Sequence, residues 1–246
     1  MADHFTPVAD QYAAFRPDYP DELYDWLADI APRRECAWDC GAGSGQATLP
    51  LAKRFRHVYA TDLSAAQLAT APSIANVEYR VAPAEASGLP DAAVDLITVA
   101  QALHWFDPVR FHAEVRRVAR PGGLIAAWGY NRLRIGHPVI QKQLDDFYDG
   151  KIGPYWPAER IHVEQGYRDL PFPYTRLDTP EFSMRQQWTR EHLLGYLRSW
   201  SAVARFKQAQ GYDPVTAFAE EIEVHWPDHE SLSIVWPMFL HIGKID

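Results

Sequence analysis

Short runs of consecutive apolar residues alternate with stretches of helical periodicity over the first half of the chain. Consecutive apolar residues, unlike alternating ones, are typical of strands that are covered on both faces of a parallel sheet. The predicted strands are Ala37–Cys40, His57–Thr61, Val77–Val81, Val94–Ala100 and Leu124–Trp128. Strands that alternate with helices predict an α/β fold with a doubly wound, mostly parallel sheet.

The helix predicted between the fourth and fifth strands has clear signals at both ends. Asp107 can accept hydrogen bonds from the first free backbone amides, and Pro108 suits the first helical position, where its missing N–H costs nothing. Phe111 and Val115 then fall on one face of the helix. We expect the Pro-Gly-Gly sequence at residues 121–123 to end this helix and to turn the chain into the fifth strand.

The pattern loosens after residue 130. Residues 153–174 are rich in Pro, Tyr and Trp and have no clear period. Because so many aromatic rings are costly to leave in water, we expect an inserted, aromatic-rich cap. The other predicted elements are a helix within residues 137–149, a helix through Leu193 and Ala204, a helix from Asp213, and a terminal strand over Leu232–Ile245 that Pro237 breaks or places at an edge.

Composition narrows the possible partners and locations. The chain has 246 residues, 47% of them hydrophobic and 23% charged, which is enough for the core of one domain. Its formal net charge of −8 disfavours nucleic acid as a partner. The first residues lack the basic and apolar regions of a signal peptide, and no apolar run is long enough to cross a bilayer. We expect a cytoplasmic monomer or homodimer that binds neither nucleic acid nor membrane, with Cys36 and Cys40 as buried thiols and no metal site.

A glycine-rich turn directly follows the first predicted strand. Gly41, Gly43 and Gly45 stand at alternate positions, which lets the backbone turn sharply and approach a ligand more closely than any Cβ would allow. A helical stretch from Gln46 would direct free N–H groups toward this loop. The motif predicts a nucleotide-like ligand, although glycine-rich turns between strands and helices also occur without one.

Asp62 strengthens this prediction. It ends the second predicted strand, twenty-one residues after Gly41, where the carboxyl ends of neighbouring strands meet and an acid can accept both hydroxyls of a ribose. The alternative role for Asp62 is to cap the next helix, but Ser64 can do that equally well. The glycines and the acid together indicate an adenosine-containing ligand.

Two residues discriminate among such ligands. Gln46 stands where a dinucleotide-binding fingerprint has its third glycine, and the carboxylate of Asp39 precedes the glycines, where it would repel a pyrophosphate. The same carboxylate would attract S-adenosyl-L-methionine, which carries a protonated amine and a sulfonium and no phosphate. Two alternatives remain open here, a nicotinamide-dependent oxidoreductase and a protein that binds S-adenosyl-L-methionine without catalysis.

Residues 35–130 resemble the class I S-adenosylmethionine-dependent methyltransferases. The matching segments are Asp39 to Gly45 (first motif), Asp62 (ribose-binding acid), Ala84-Glu85 (adenine segment), Val94 to Ala102 (fourth strand) and Val118 to Gly123 (turn into the fifth strand). The resemblance implies a Rossmann-like fold with seven strands in the order 3-2-1-4-5-7-6, the seventh antiparallel. Tyr12 to Pro20 and His104 to Phe106 are similar to the small-molecule branch that includes trans-aconitate methyltransferase. Pro50 departs from the pattern and predicts a late start or a bend in the first helix of this core.

The resemblance implies methyl transfer to a small organic acceptor, most simply at the oxygen of a carboxylate or hydroxyl. We expect a single domain with an N-terminal helical lid (1–34), a cofactor-binding core (35–130), the inserted cap (131–175) and C-terminal strands and helices (176–246). The expected cofactor-binding residues are Asp39, Gly41, Gly43, Gly45, Asp62, Leu63, Gln67, Ala84, Glu85, Gln101, Tyr12 and Arg16. His104 is the candidate base, and the expected acceptor-binding residues are Tyr19, Trp105, Trp156, Arg160 and Trp200.

Overall fold

The computed structural model describes residues 17–228 and 230–245, which form two compact units. The sheet unit contains residues 18–131, 161–183 and 238–245, and the helical unit contains Pro17 and residues 132–160, 184–228 and 230–237. The chain therefore enters the helical unit twice, and residues 161–183 pack with the sheet although the sequence groups most of them with the predicted cap. The single-domain interpretation and its segment boundaries stay a prediction.

The sheet unit is built on five parallel strands in the order β3-β2-β1-β4-β5. They are β1 (Cys36–Cys40), β2 (His57–Asp62), β3 (Val77–Val81), β4 (Val94–Ala100) and β5 (Ala119–Tyr130). The last strand, β9 (Ser231–Lys244), lies antiparallel beside β5. Gly243 pairs with both Ile125 of β5 and Arg176, so the short strand Thr175–Arg176 (β7) lies on the far side of β9. The doubly wound α/β fold and its antiparallel last strand are thereby confirmed.

Both faces of this sheet are covered, which explains the consecutive apolar residues in its strands. Asp39 pairs with Thr98, and Trp38 pairs with Ile97, so neighbouring rungs point to opposite faces. Helix Asp21–Ile30 covers the Asp39 face, where the ring of Tyr24 lies 6.0 Å from that of Trp128. The opposite face carries the buried cluster of Trp38, Ile97 and Ile125, which packs against the helix Pro108–Val118.

The remaining elements are short. In and beside the sheet unit they are the helices Thr48–Ala52 and Ala65–Leu68, the 3-10 turn Leu103–Trp105, and the helix Arg160–Glu164. The helical unit contains the strands Arg134–Ile135 (β6) and Ser183–Thr189 (β8), the helices Pro138–Asp145, Arg190–Arg198, Ser201–Gln210 and Pro214–Glu223, a π-helical turn at Asp146–Lys151 and a 3-10 turn at Gly153–Tyr155. None of the helices among the described residues is both long and apolar enough to cross a membrane.

The helix ends follow the sequence signals in most places. Asp107 caps the helix Pro108–Val118 by accepting from Arg110 N (3.1 Å), and Asp213 caps Pro214–Glu223 by accepting from Val215 N (3.1 Å). The first helix of the core begins at Thr48 rather than at Gln46, so Pro50 falls in its first turn, where it removes no intrahelical hydrogen bond.

Two local predictions are wrong. The helix Pro108–Val118 ends before residues 121–123, because the backbone is already extended at Ala119, which pairs with Val94 of β4. The apolar positions between Leu193 and Ala204 belong to two helices instead of one. Ser199 donates its hydroxyl to Tyr196 O (2.6 Å), and the extended backbone at the next residue, Trp200, separates the helices.

Candidate functional site

The glycine loop begins where β1 ends and bends over the end of β2. Gly41 N and Ala42 N both donate to Thr61 O, at 2.8 and 3.0 Å. All three glycines of the motif have positive φ angles of 75°, 55° and 85°, which side chains rarely adopt. A Cβ on Gly41 would lie 2.7 Å from the Cβ of Ala102, so the loop also packs tightly on the segment that follows β4.

Asp62 joins the loops that follow β1 and β2. Its carboxylate accepts from Gly43 N (2.9 Å) through one oxygen and from Ser64 N (2.8 Å) through the other. Ser64 is the residue that caps the helix Ala65–Leu68, by accepting from Gln67 N (3.3 Å). Because a carboxylate oxygen can accept more than one hydrogen bond, Asp62 keeps acceptor capacity toward a ligand. The role of Asp62 in ribose binding stays a prediction.

Two apolar side chains are exposed beside Asp62. Leu63 follows it directly and Val81 pairs with it across the strands, and these side chains are 53% and 61% exposed. Gln67 lies one turn into the next helix, with its Oε1 2.7 Å from the position of a Cβ on Gly43. An exposed apolar pair at the carboxyl edge of two strands offers a surface that a planar base would cover.

The adenine segment that the sequence singles out lies close to the segment following β4. Ala84 is buried in the cluster beneath the helix Pro108–Val118, so its side chain faces the protein interior. Glu85 accepts from Asp107 N at 2.8 Å and thereby ties this segment to the start of that helix. The predicted cofactor contacts of Ala84 and Glu85 stay predictions.

Asp39 is fully buried at the end of β1. Thr48 donates to one carboxylate oxygen (2.6 Å) and Thr98 donates to the other (3.2 Å). Burial raises the pKa of Asp39 to about 6, although both hydroxyls oppose the shift. On the same face of the sheet, two buried polar atoms, Tyr24 Oη and Trp128 Nε1, have no hydrogen-bond partner within the described part of the chain. Burial, followed by the charge of Asp39, raises the pKa of Tyr24.

The segment after β4 begins with a strained residue. Gln101 has a φ of 56°, which is uncommon for a residue with a side chain and is found in many functional sites. Its backbone N donates to Trp128 O (2.8 Å) and its side-chain amide donates to Tyr130 O (3.3 Å), so both bonds fix it to β5. Tyr19 packs against the same end of β5, with its ring 5.7 Å from Trp128 and 6.2 Å from Tyr130.

His104 lies in the 3-10 turn that follows, and the structure gives it a partner that sequence reasoning missed. Its Nδ1 lies 2.8 Å from the phenolic oxygen of Tyr167, and its ring is 4.7 Å from that of Trp105. Tyr167 stands sixty-three residues later in the chain. Its positive φ of 57° marks it as unusual, but the amino-acid sequence carries no signal for that angle.

The other expected acceptor-binding residues lie in the helical unit. The ring of Trp156 is 5.0 Å from Tyr148 and 5.5 Å from Trp200, and Arg160 lies 4.9 Å above Trp156. These rings contact one another, and Arg160 Nε donates to the Tyr148 hydroxyl (3.1 Å). Their acceptor-binding role stays a prediction.

Three further sequence expectations concern the N-terminus, the two cysteines and metal binding. Tyr12 and Arg16 lie outside the described residues. Cys36 and Cys40 are both buried free thiols. Over residues 17–228 and 230–245, no group of three or more histidine, cysteine or acidic side chains is placed to hold a metal ion.

Comparison with known proteins identifies the family. The family model described as a methyltransferase domain matches residues 38–127. A Dictyostelium discoideum protein named as a methyltransferase is 33% identical over 249 residues, which covers 98% of this chain and 95% of that protein. An uncharacterized methyltransferase of Mycobacterium tuberculosis is 38% identical over 142 residues, 55% of this chain and 56% of its own length. A solved structure described as a type II methyltransferase from Anaeromyxobacter dehalogenans is 45% identical, with a TM-score of 0.89 and coverage of 94% of this chain and 98% of its own. The chain therefore belongs to the class I S-adenosylmethionine-dependent methyltransferases.

Proposed function

We propose that this methyltransferase acts at an oxygen atom of a small organic acceptor, a carboxylate or a hydroxyl. The observation that carries the proposal is the contact between the glycine loop and the turn that holds His104. Gly41 packs against Ala102 and Phe106, the residues on either side of that turn. A methyl donor bound along the glycine loop would thus lie beside His104 and Trp105.

The residues at the carboxyl edge fit the parts of the cofactor. Asp62 supplies carboxylate oxygens for the ribose hydroxyls, and the exposed side chains of Leu63 and Val81 supply an apolar surface for the adenine. Asp39 supplies a buried negative charge for the ammonium group. Two donors that have no partner among residues 17–228 and 230–245, Tyr24 Oη and Trp128 Nε1, lie on the same face and match a carboxylate. The bound cofactor supplies an electrophilic methyl group on a sulfonium.

The protein has to orient the acceptor and exclude water from it. An in-line transfer requires the attacking atom to be within about 3–3.5 Å of the methyl carbon. We assign this task to His104 and Trp105 in the turn after β4 and to Tyr19, which packs against the end of β5. A carboxylate acceptor needs no base, whereas a hydroxyl acceptor needs one, for which His104 is the candidate.

Charge supports a small acceptor over a nucleic acid. The net charge of −8 opposes a polyanion, and small acceptors need only a few polar contacts. We also propose that Trp156, Arg160 and Trp200 bind the acceptor. We also retain the monomer or homodimer, which sedimentation at several concentrations distinguishes.

Transfer of a labelled methyl group tests the proposal. The enzyme is incubated with methyl-labelled S-adenosyl-L-methionine and separate panels of carboxylates, phenols, alcohols, amines, thiols and RNA. We expect label on oxygen in the carboxylate or hydroxyl panels, and a loss of transfer without a loss of cofactor binding in His104→Gln. Label only on nitrogen, sulfur or RNA would overturn the proposal. Tight cofactor binding with no transfer to any panel would favour a non-catalytic binding protein.

A further inference from the structure

Tyr167 is held in one orientation by its backbone and by its packing. Its N–H donates to His162 O (2.8 Å), which stabilises the left-handed backbone, and its side chain is 1% exposed. The ring of Phe239 meets it edge-on at 4.9 Å. Phe239 is itself seated over Gly129, where a Cβ would lie only 2.5 Å from the phenylalanine ring. The phenol therefore approaches His104 from a fixed direction.

The chemistry of the two groups indicates which one donates. A phenol is the stronger acid and donor, and a neutral imidazole nitrogen is a better acceptor than a phenolic oxygen. The favoured arrangement across the 2.8 Å contact therefore has the Tyr167 O–H donating to His104 Nδ1. A neutral imidazole carries one proton, so its proton then lies on Nε2.

We propose that Tyr167 is a positioning residue that keeps His104 in the Nε2–H form, so that His104 donates a hydrogen bond to an anionic acceptor. This inference rests on the proposed function, in which His104 lies at the acceptor. It narrows the acceptor to the carboxylate class. A carboxylate attacks through a lone pair it already has, the electron pair of the breaking C–S bond stays on sulfur, and no proton has to leave. His104 then binds and orients the acceptor oxygen instead of removing a proton from it.

A second pair in the same unit provides a matched control. His112 Nδ1 lies 2.6 Å from the Tyr174 hydroxyl, and both side chains are buried. Tyr174 packs against Gly243, which pairs with Ile125 at the other end of β5 from Gly129. The two tyrosine–histidine pairs thus share the same contacting atoms, although His104 is only partly buried, and they lie about four residues, or roughly 13 Å, apart along the sheet.

The tautomer of His104 can be measured without an acceptor. Nitrogen NMR of histidine-labelled protein with S-adenosylhomocysteine bound reports which ring nitrogen is protonated, and His104→Gln identifies the signal among ten histidines. We expect a protonated Nε2 in the wild type and a mixture of tautomers in Tyr167→Phe, whereas Tyr174→Phe leaves the His104 signal unchanged. A protonated Nδ1 in the wild type would overturn the inference, as would an unchanged tautomer in Tyr167→Phe. This result does not depend on whether any carboxylate is methylated.

Kinetics with the best carboxylate from the labelling panels provides the second readout. We expect Tyr167→Phe to lower kcat/KM by roughly tenfold or more through misplacement of the acceptor, with unchanged affinity for S-adenosylhomocysteine. Tyr174→Phe should lose stability but keep its rate. If wild-type kcat/KM falls tenfold for each unit by which the pH is lowered toward the acid range, His104 acts as a base and the inference fails.

A pH dependence of kcat/KM can also come from other ionisable groups in the segments around His104 and Tyr167, and the experiment has to distinguish them from His104. Glu85 is bonded to the backbone of Asp107, and His162 is bonded to Asp169 at 2.5 Å. The pH profile is therefore repeated in His162→Gln. We expect an unchanged profile in this variant. A profile that depends on His162 instead of His104 would contradict the assignment.

Discussion

Thr48 donates its hydroxyl hydrogen to the carboxylate of Asp39 across 2.6 Å, in a position with no solvent exposure. With Thr98 on the other oxygen, these hydroxyls compensate only part of the cost of burial, since the pKa of Asp39 is still raised to about 6. Over residues 17–228 and 230–245, no cationic side chain forms an ion pair with Asp39, and a buried carboxylate without a counter-ion lowers the stability of the ligand-free protein. Such a residue is expected where a ligand brings the opposite charge, which is the role we propose for the ammonium group of the cofactor.

Asp39→Asn should stabilise the ligand-free protein at neutral pH and weaken cofactor binding. Thr48 can still donate to the amide oxygen, and Thr98, which also lies 3.3 Å from Trp38 O, can accept from the amide nitrogen. Because the folded pKa is above the ordinary value of 3.8, the stability that protonated Asp39 contributes is complete below pH 3.8 and is lost as pH rises to about 6. The gain in unfolding free energy of Asp39→Asn over the wild type should therefore be greatest above pH 6.

Denaturant unfolding of the variant and the wild type between pH 4 and 8 tests the predicted gain in stability, and calorimetry measures cofactor affinity. We expect the affinity of Asp39→Asn for S-adenosyl-L-methionine to fall about tenfold, equivalent to about 1.4 kcal/mol. A variant that is less stable than the wild type at pH 8, with unchanged affinity, would show that Asp39 has only a structural role.

Gly43→Ala should weaken cofactor binding more than it weakens the fold. Its φ of 55° costs a side chain roughly 1–2 kcal/mol, and the new Cβ would lie 2.7 Å from Gln67 Oε1. Gly211→Ala is the control, because Gly211 also has a positive φ of 79° but has open space around it. Both variants should lose similar stability in denaturant unfolding, and only Gly43→Ala should lose tenfold or more in affinity by calorimetry. Equal affinities in the two variants would contradict a role of this loop in binding.

Asp95 should contribute to stability alone. It is fully buried at the start of β4, accepts from Cys36 N (2.9 Å), and pairs with Arg120 (3.0 Å). Asp95→Ala leaves these groups unpaired and should cost about 3–5 kcal/mol of unfolding free energy. Arg120→Gln should cost less, about 1–3 kcal/mol, because the arginine is partly exposed. Cofactor affinity measured on the folded fraction should not change in either variant, and a parallel loss would contradict the separation of this pair from the site.

The sequence predicts the parts of this molecule whose signals are local. The predicted positions of all five parallel strands match the observed ones, and both Asp107 and Asp213 cap the helices that they precede. Ser64 is also the helix cap, which leaves Asp62 to join the two loops. Periodicity, capping and glycine spacing act within a few residues, so one chain suffices to detect them.

The parts that the sequence misses depend on contacts between distant segments. Tyr167 reaches His104 only because residues 161–183 return to the sheet unit. The strain at Gln101 follows from its two bonds to β5, and no feature of its neighbours in the chain predicts it. The helical unit brings together residues 132–160 and 184–237, which are separated in the chain, and no local signal in the sequence pairs these segments.

We propose that the carboxylate of Asp62 holds the ribose of the cofactor, and calorimetry of Asp62→Ala with S-adenosylhomocysteine tests this role most directly. Asp213→Ala serves as the control, because Asp213 also accepts a backbone N–H at the start of a helix but lies in the helical unit. Both variants should lose stability. Only Asp62→Ala should lose binding free energy, by roughly 1.5–3 kcal/mol, the range for hydrogen bonds to charged groups. Wild-type affinity in Asp62→Ala would contradict the claim, as would wild-type protein that binds NAD and ignores S-adenosylhomocysteine.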